Sequence, residues 1–333
     1  MKTTLSLCAG LWLAAAPALA APDLFWLSDA APKKAPRPAA EHQHGSGSEE
    51  AAMGGDEADT IHSPVKRLWF RQGRELAEAD YLKEDEATAR LSLLDALGNR
   101  SQAGSKAANG AAQVTMTLKE LGFNNAYAQR DQVQDQVRWV QLAKTEVLKG
   151  SCCVREMDPA QEKPISDPAQ PLEIVRQRQD KEKMFTRIVS GDTVQFTVLR
   201  FGQPAARVPV TMYTQQGWTK TAASDAEGKV SFTLIRDYFP EWSDFRRRTK
   251  ESFVVAADME VAEAGSFNGQ PYGKVHYQAT LSGRYAPSPY DYKSYGYGLG
   301  IAVFVFAFGG LGVYAYRRRR VKPFQEIRFG EGA

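Results

Sequence analysis

The chain has 333 residues, of which 43% are hydrophobic and 24% are charged, and its formal net charge at pH 7 is +3. So small an excess of basic residues gives no indication of a nucleic-acid-binding protein, which normally carries a strongly basic surface. The length is sufficient for two ordinary domains and additional segments outside them.

The N-terminus has the three parts of a secretory signal. Lys2 precedes an apolar run over residues 5–16, and Ala18-Leu19-Ala20 supplies an A-x-A ending. Residues 1–20 are therefore predicted to be a signal peptide that is cleaved after Ala20. We expect the body of the mature protein to be exported to a bacterial periplasm.

Residues 21–63 have the composition of a disordered linker. They contain one hydrophobic patch at 24–27, and the Pro, Gly, Ser and Glu residues that follow bury too little apolar surface to offset chain entropy. His42 and His44, with His62 nearby, lie among carboxylates and could chelate a divalent cation, because imidazole is a common transition-metal ligand. The alternative is a solvated polar tether that binds no metal.

Residues 64–150 show the period-two alternation of apolar and polar residues that is typical of β-strands, and they predict an N-terminal β-sandwich domain. The stretch 132–148 fits either helical spacing or a strand, and its neighbours favour the strand. The other predicted strands of this domain lie at 66–71, 88–94, 111–118 and 122–127.

Residues 151–171 contain four prolines and are predicted to form a linker between two domains, because proline disfavours both helices and central strands. Cys152 and Cys153 lie here and are the only cysteines left after signal removal, so a disulfide to a distant cysteine of the same chain is excluded. Two interpretations stay open. The pair is either a vicinal disulfide or two unreactive thiols, or it binds a metal or a partner chain.

Residues 172–290 alternate more clearly, with Val194, Phe196 and Val198 on one face of the stretch 193–200. Turn signals at about every 8–12 residues are the spacing expected of an Ig-like sandwich. The sequence therefore predicts a mainly β fold with two antiparallel β-sandwich (Ig-like) domains in tandem. Further strands of this C-terminal domain are predicted at 208–213, 229–235, 253–257 and 275–281.

Three runs in the second half carry a family resemblance: 202–210 with Gly202-Gln203-Pro204 and Val208-Pro209-Val210, 217–232 with Gly217-Trp218 and Asp225-Ala226-Glu227-Gly228, and 279–283. They resemble the carboxypeptidase-regulatory-type sandwich and, more narrowly, the exported NikM-like family of periplasmic components of nickel and cobalt uptake. The resemblance covers 185–283 well and 66–148 loosely. It implies a β-sandwich fold and nickel or cobalt as the metal that is bound.

One feature departs from that family. Its members often begin the mature chain with a histidine ahead of a Phe-Trp-Leu run, whereas Pro22 and Asp23 precede Phe25-Trp26-Leu27 in this chain. If the resemblance extends to metal loading, His42 and His44 would have to replace that histidine.

The stretch 236–248 mixes aromatic and charged side chains. Because Trp, Tyr and Arg dominate interface hot spots, we expect it to meet a partner protein or the membrane surface. The alternative is a loop that caps one end of the sandwich with its aromatic residues buried. The candidate partner-binding residues are Tyr238, Trp242, Arg246, Arg247 and Arg248.

His276 lies on the polar side of a predicted strand. One interpretation is an ordinary exposed or edge histidine, and the other is a metal ligand. Catalytic signatures such as G-x-S-x-G, H-E-x-x-H, C-x-x-C and a phosphate-binding Gly-rich loop do not occur in a suitable context. We therefore do not expect an enzyme.

Residues 295–316 contain no charged residue and are followed by Arg317-Arg318-Arg319-Arg320. At about 1.5 Å per residue the stretch spans the roughly 30 Å hydrocarbon core of a bilayer, so it predicts a transmembrane helix. By the positive-inside rule the basic tail 317–333 is cytoplasmic. The alternative is a buried helix of a soluble protein.

These features predict a single-pass protein of the bacterial inner membrane whose N-terminal bulk is periplasmic. The expected role is a non-enzymatic accessory component of an envelope transport system for a transition metal of the nickel or cobalt type, with an inner-membrane permease or outer-membrane receptor as partner. The alternative is a structural scaffolding protein whose sandwich domains bind partner proteins and no small ligand.

Overall fold

The computed structural model describes residues 22–32, 65–150, 158, 161–179, 182, 186–237, 251–320 and 330. Within these residues the chain forms nineteen strands and one helix. The strands of the first half are β1 (Leu24–Ser28), β2 (Val65–Gly73), β3 (Asp80–Tyr81), β4 (Arg90–Leu94), β5 (Arg100–Gln102), β6 (Ser105–Ala108), β7 (Ala111–Thr117), β8 (Gly122–Gln134) and β9 (Val137–Lys149).

The second half adds ten strands and the helix. They are β10 (Glu173–Gln177), β11 (Thr193–Arg200), β12 (Gln203–Pro204), β13 (Pro209–Thr214), β14 (Thr219–Ala223), β15 (Lys229–Thr233), β16 (Glu251–Val261), β17 (Gly265–Phe267), β18 (Gln270–Tyr272), β19 (Lys274–Tyr285) and α1 (Pro289–Arg320). The prediction of a mainly β fold with β-sandwich packing and one C-terminal apolar helix is confirmed.

The strands form two outer sheets on either side of one central sheet. The central sheet has eight strands in the order β14-β13-β16-β19-β9-β8-β4-β5. The first outer sheet has the order β1-β2-β7-β6, with β3 also paired to β2. The second outer sheet has the order β10-β11-β12, with β15 also paired to β11, and β17 and β18 form a separate hairpin.

The two predicted sandwiches are joined through the central sheet. Strand β19 pairs with β9 in parallel, in a register that runs from Lys274 opposite Val137 to Ser282 opposite Thr145. The other ladders between the described strands are antiparallel. The pairing satisfies the backbone groups that two separate sandwiches would expose at sheet edges, so the halves share a sheet rather than following each other as independent units.

Strand β9 contributes to both hydrophobic cores because successive side chains of a strand point to opposite faces. Val140 and Leu142 pack in the core beneath the second outer sheet. Ala143 and Val147 pack in the core beneath the first outer sheet. The two outer sheets therefore cover opposite faces of the central sheet, and β9 packs against both of them.

Strand β1 fills the seam between the two halves, and its five residues are all buried. Phe25 and Leu27 belong to the first core. Leu24 and Trp26 pack on the back of β16, in a small third core. The prediction that the linker begins at residue 21 is therefore wrong for 24–28, because these side chains form a strand that is buried against both halves of the body.

Three residues separate the end of β19 at Tyr285 from the start of helix α1 at Pro289. An 18-residue window within Tyr295–Arg320 has a mean hydropathy of 2.0, and none of that window is buried against the body. Its length and composition fit a membrane span, and the exposed apolar side chains of residues 295–316 disagree with the alternative of a buried helix. The described residues thus contain a single candidate membrane-spanning helix.

Candidate functional site

Most of the predicted site residues lie outside the described residues. These are the metal-ligand candidates His42, His44, His62, Cys152 and Cys153, and the partner-binding candidates Tyr238, Trp242, Arg246, Arg247 and Arg248. The predictions made for them stay predictions.

His276 is the one predicted site residue that the structure places. It lies on β19, an interior strand of the central sheet, and its side chain is partly buried rather than at an edge. Its Nε2 lies 3.1 Å from Asp258 Oδ1, and its ring packs on Trp139 with the ring centroids 4.2 Å apart. Within the described residues no group of three His, Cys, Asp or Glu side chains could hold a metal ion.

The main concave site is a cleft of about 400 Å³ at the end of the body where α1 begins. Strands β1, β9 and β19 end there and β16 starts there, so two strand ends from each half contribute to its wall. We call it the membrane-proximal cleft, because Tyr285 and Ala286 line it and α1 starts at residue 289. Its apolar floor includes Trp26, Val147 and Phe253.

The rim of the membrane-proximal cleft carries paired charges. Asp29 lies between Lys66 and Arg284, with nitrogen–oxygen distances of 3.2 and 2.5 Å. Arg176 and Glu182 form a bidentate pair in which both distances are 2.9 Å. A floor of apolar side chains below fixed ion pairs suits a ligand or peptide segment with both apolar and polar groups.

A glycine gives the cleft its shape on the β19 side. Gly283 lies directly opposite Phe253 of β16, and a Cβ atom at this position would overlap the Phe253 ring. The ring can therefore approach the β19 backbone closely at this position. None of the residues that line this cleft was predicted as a binding residue from the sequence, because they are single positions at the ends of distant strands.

Comparisons with known proteins add little beyond the geometry. No family model matches the chain, and no curated protein matches it. The D0–D1 domain of intimin is similar over 67% of this chain and 90% of its own, at 15% identity and a TM-score of 0.21.

Two further solved structures are adhesins. A 1.5-MDa bacterial ice-binding adhesin is similar at 10% identity over 67% of this chain and 58% of its own, with a TM-score of 0.21. A Ca2+-stabilized, ice-binding adhesin of an Antarctic bacterium is similar at 13% identity over 66% of this chain and 43% of its own, with a TM-score of 0.17. TM-scores this low carry no argument about function, and the NikM-like resemblance stays a prediction.

Proposed function

We propose that this protein is a membrane-anchored periplasmic binding protein, an accessory component of an envelope transport system that acts without catalysis. The observation that carries the proposal is the direct run of a central strand into the candidate membrane helix. Strand β19 ends at Tyr285 and α1 starts at Pro289. So short a connection would hold the body, and the cleft at its lower end, close to the bilayer.

The connection is tied to the body by hydrogen bonds. Ser190 N donates to the carbonyl of Ala286, and Ala286 N donates to the carbonyl of Ile188, both at 2.9 Å. Ser288 N donates to Ser190 Oγ, also at 2.9 Å. These bonds support a rigid link, in which a partner in the same membrane meets the membrane-proximal cleft at a fixed height.

The expected topology follows from the charges that flank the helix. Arg317, Arg318, Arg319 and Arg320 occupy its last turn. Positive residues next to a membrane span are retained on the cytoplasmic side, which would place the β body in the periplasm and the inner membrane around α1.

The proposed cargo is a transition metal of the nickel or cobalt type. The segment 33–64, which carries His42, His44 and His62, leaves the described body after β1 and returns at β2. Asp29 and Val65, close to its two attachment points, both line the membrane-proximal cleft. A metal held by these histidines would therefore be tethered beside the cleft, within reach of a permease in the same membrane.

Isothermal titration of the full chain in detergent with Ni²⁺, Co²⁺, Cu²⁺ and Zn²⁺ tests the proposed cargo. We expect stoichiometric binding of at least one metal at micromolar affinity or tighter, weakened in a His42→Ala/His44→Ala double variant. His276→Ala is the matched control and should leave binding unchanged, since its imidazole is already paired with Asp258. Absence of binding for all four metals would favour the scaffolding alternative, in which the body binds partner proteins alone.

A further inference from the structure

A buried polar cluster lies where strands β8 and β9 face the segment that leads into β10. Four of its members are almost inaccessible to solvent: Asn125 is 0% exposed, Lys144 and Glu173 are each 3% exposed, and Tyr127 is 6% exposed. A lysine buried this deeply is rare unless it is paired, so the cluster needs a specific explanation. It is separate from the metal ligands and the cargo proposed above.

The register of the β8–β9 hairpin places these side chains on one face. Tyr127 lies opposite Lys144, and Asn125 lies opposite Glu146. Asn125 and Lys144 are therefore diagonal neighbours, at a Cβ separation of roughly 7–8 Å or somewhat less, which a lysine side chain can span. Glu173 reaches the cluster from β10, on the facing sheet.

Hydrogen bonds connect the lysine nitrogen to the asparagine nitrogen through two intermediate groups. Lys144 Nζ lies 2.9 Å from Glu173 Oε1, which accepts a hydrogen bond from the Tyr127 hydroxyl at 2.8 Å. The same hydroxyl accepts a hydrogen bond from Asn125 Nδ2 at 2.9 Å. Both nitrogens also donate to the carbonyl of Ile165, at 3.3 and 2.9 Å, so they lie side by side.

The asparagine carbonyl completes the arrangement. Asn125 Oδ1 is buried and has no hydrogen-bond partner within the described part of the chain. A buried acceptor left without a donor costs about 1–3 kcal/mol, so native proteins seldom retain one without a reason. Glu146, directly opposite Asn125 on β9, is itself paired with Lys144, with its Oε1 2.9 Å from Nζ.

We propose that Lys144 and Asn125 are the partners of an intramolecular isopeptide bond, formed between Lys144 Nζ and Asn125 Cγ with release of ammonia. The Nζ lone pair attacks Cγ, the new Nζ–Cγ bond forms, and the Cγ–Nδ2 bond breaks. No electrons are gained or lost overall, so no oxidant or reductant is required.

The protons balance through the hydrogen-bonded chain. Lys144 begins as an ammonium group, and its first proton passes to the carboxylate of Glu173, which leaves the neutral amine that can attack. After the attack a second proton leaves Nζ and reaches Nδ2 along Glu173 and Tyr127, so that Nδ2 departs as ammonia. The third proton stays on the amide nitrogen, and Glu173 ends protonated.

The electrostatics of the cluster explain why a carboxylate is needed. Burial lowers the pKa of Lys144, but Glu146 and Glu173 together raise it above its ordinary value. The amine therefore stays charged until a neighbouring carboxylate accepts its proton. Burial and the nearby Glu173 also raise the pKa of the Tyr127 hydroxyl, so that group passes a proton on without ionising.

Peptide mapping by mass spectrometry of the purified full chain tests the proposal. We expect the peptide that contains Lys144 to be joined to the peptide that contains Asn125, at the sum of their masses less one ammonia. Recovery of both peptides separately at their unmodified masses would overturn the proposal. Loss of ammonia from the Asn125 peptide alone, without a joined partner, would also overturn it, because that indicates ring closure on the backbone.

Two variants test the proton path without changing the size of the cluster. Glu173→Gln should abolish the joined peptide, and Tyr127→Phe should reduce its yield. Tyr277→Phe is the matched control, because Tyr277 is about as buried, at 7%, and lies on a different strand, β19. A full yield of joined peptide in Glu173→Gln would contradict the path, whereas the wild-type map decides the bond itself even if a variant fails to fold.

Discussion

Thr280 Oγ1 donates a hydrogen bond of 2.7 Å to the carbonyl oxygen of Phe25, across 255 residues of sequence. The bond joins β19, the strand that leads to the candidate membrane helix, to β1, the first described strand. Both residues are buried, at 2% and 1% exposure. The start of the body is therefore fixed to its end at the seam between the two sandwiches.

Replacing Thr280 with Val should lower the free energy of unfolding by about 1–3 kcal/mol, because the buried carbonyl of Phe25 loses its side-chain donor. Urea titration of the chain in detergent measures this loss. Thr211→Val is the matched control, since the Thr211 hydroxyl bonds to Thr221 in an exposed pair on the protein surface. An equal effect of the two substitutions would contradict the role assigned to the Thr280–Phe25 bond.

Replacing Trp26 with Ala should lower the free energy of unfolding by about 3–5 kcal/mol, the usual range for removing a buried aromatic side chain. Trp26 is 2% exposed and packs on the back of β16, where Arg71 also lies 5.4 Å from its ring centre. Because β1 contacts both halves, we expect the variant to unfold in one transition, which lies at lower stability than that of the wild type. Two transitions, of which only one shifts, would show that the halves unfold independently. Phe201→Ala, at 51% exposure, should have little effect.

Gly283→Ala should lower stability by about 1–3 kcal/mol, the usual cost of overpacking, because the added methyl group would overlap the ring of Phe253. Gly273→Ala is the control at the other end of the same strand region, where an added Cβ meets nothing within 4 Å. Thermal unfolding of both variants measures the difference. A larger loss of stability in Gly273→Ala than in Gly283→Ala would contradict the close packing of Phe253 against β19.

Glu251 provides a pH-dependent test. Burial raises its pKa and nearby Asp237 adds to the effect, while a hydrogen bond from Gln216 opposes it. A folded-state pKa above the unfolded one stabilises the protein below the unfolded pKa, and this contribution is lost as pH rises through the folded pKa. Glu251→Gln should therefore be more stable than wild type at pH 7. The difference between their free energies of unfolding should decrease toward pH 4. Urea titrations at both pH values measure this difference in free energy of unfolding. A difference that does not change with pH would contradict the raised pKa of Glu251.

Local patterns in the sequence predicted many strands well. The alternating stretch 193–200 coincides with β11, and 111–118 differs from β7 by one residue. The ambiguous stretch 132–148 holds the β8–β9 turn, where Asp135 and Gln136 have φ values of 51° and 62°. Positive φ at both central residues is the geometry of a two-residue hairpin, but neither residue is glycine, so the usual turn signal was absent.

The features that define the candidate sites depend on contacts between distant residues. Strand β1 is short and stands far from its partner β2 in sequence, so its composition alone could not separate a buried strand from a patch in a linker. The parallel β9–β19 pair joins residues 137 positions apart, from Lys274 to Val137. The buried polar cluster around Lys144 likewise depends on the β8–β9 register and on the position of β10. No local sequence pattern specifies either of them.

The orientation of the chain in the membrane is the claim on which the proposed function depends most. Reporters fused after Ala333 measure it directly: one that is active only in the cytoplasm and one that is active only in the periplasm. We expect activity from the cytoplasmic reporter alone, with the protein retained in membranes after alkaline carbonate extraction. Activity from the periplasmic reporter alone would place the basic tail outside the cytoplasm and contradict the proposed function.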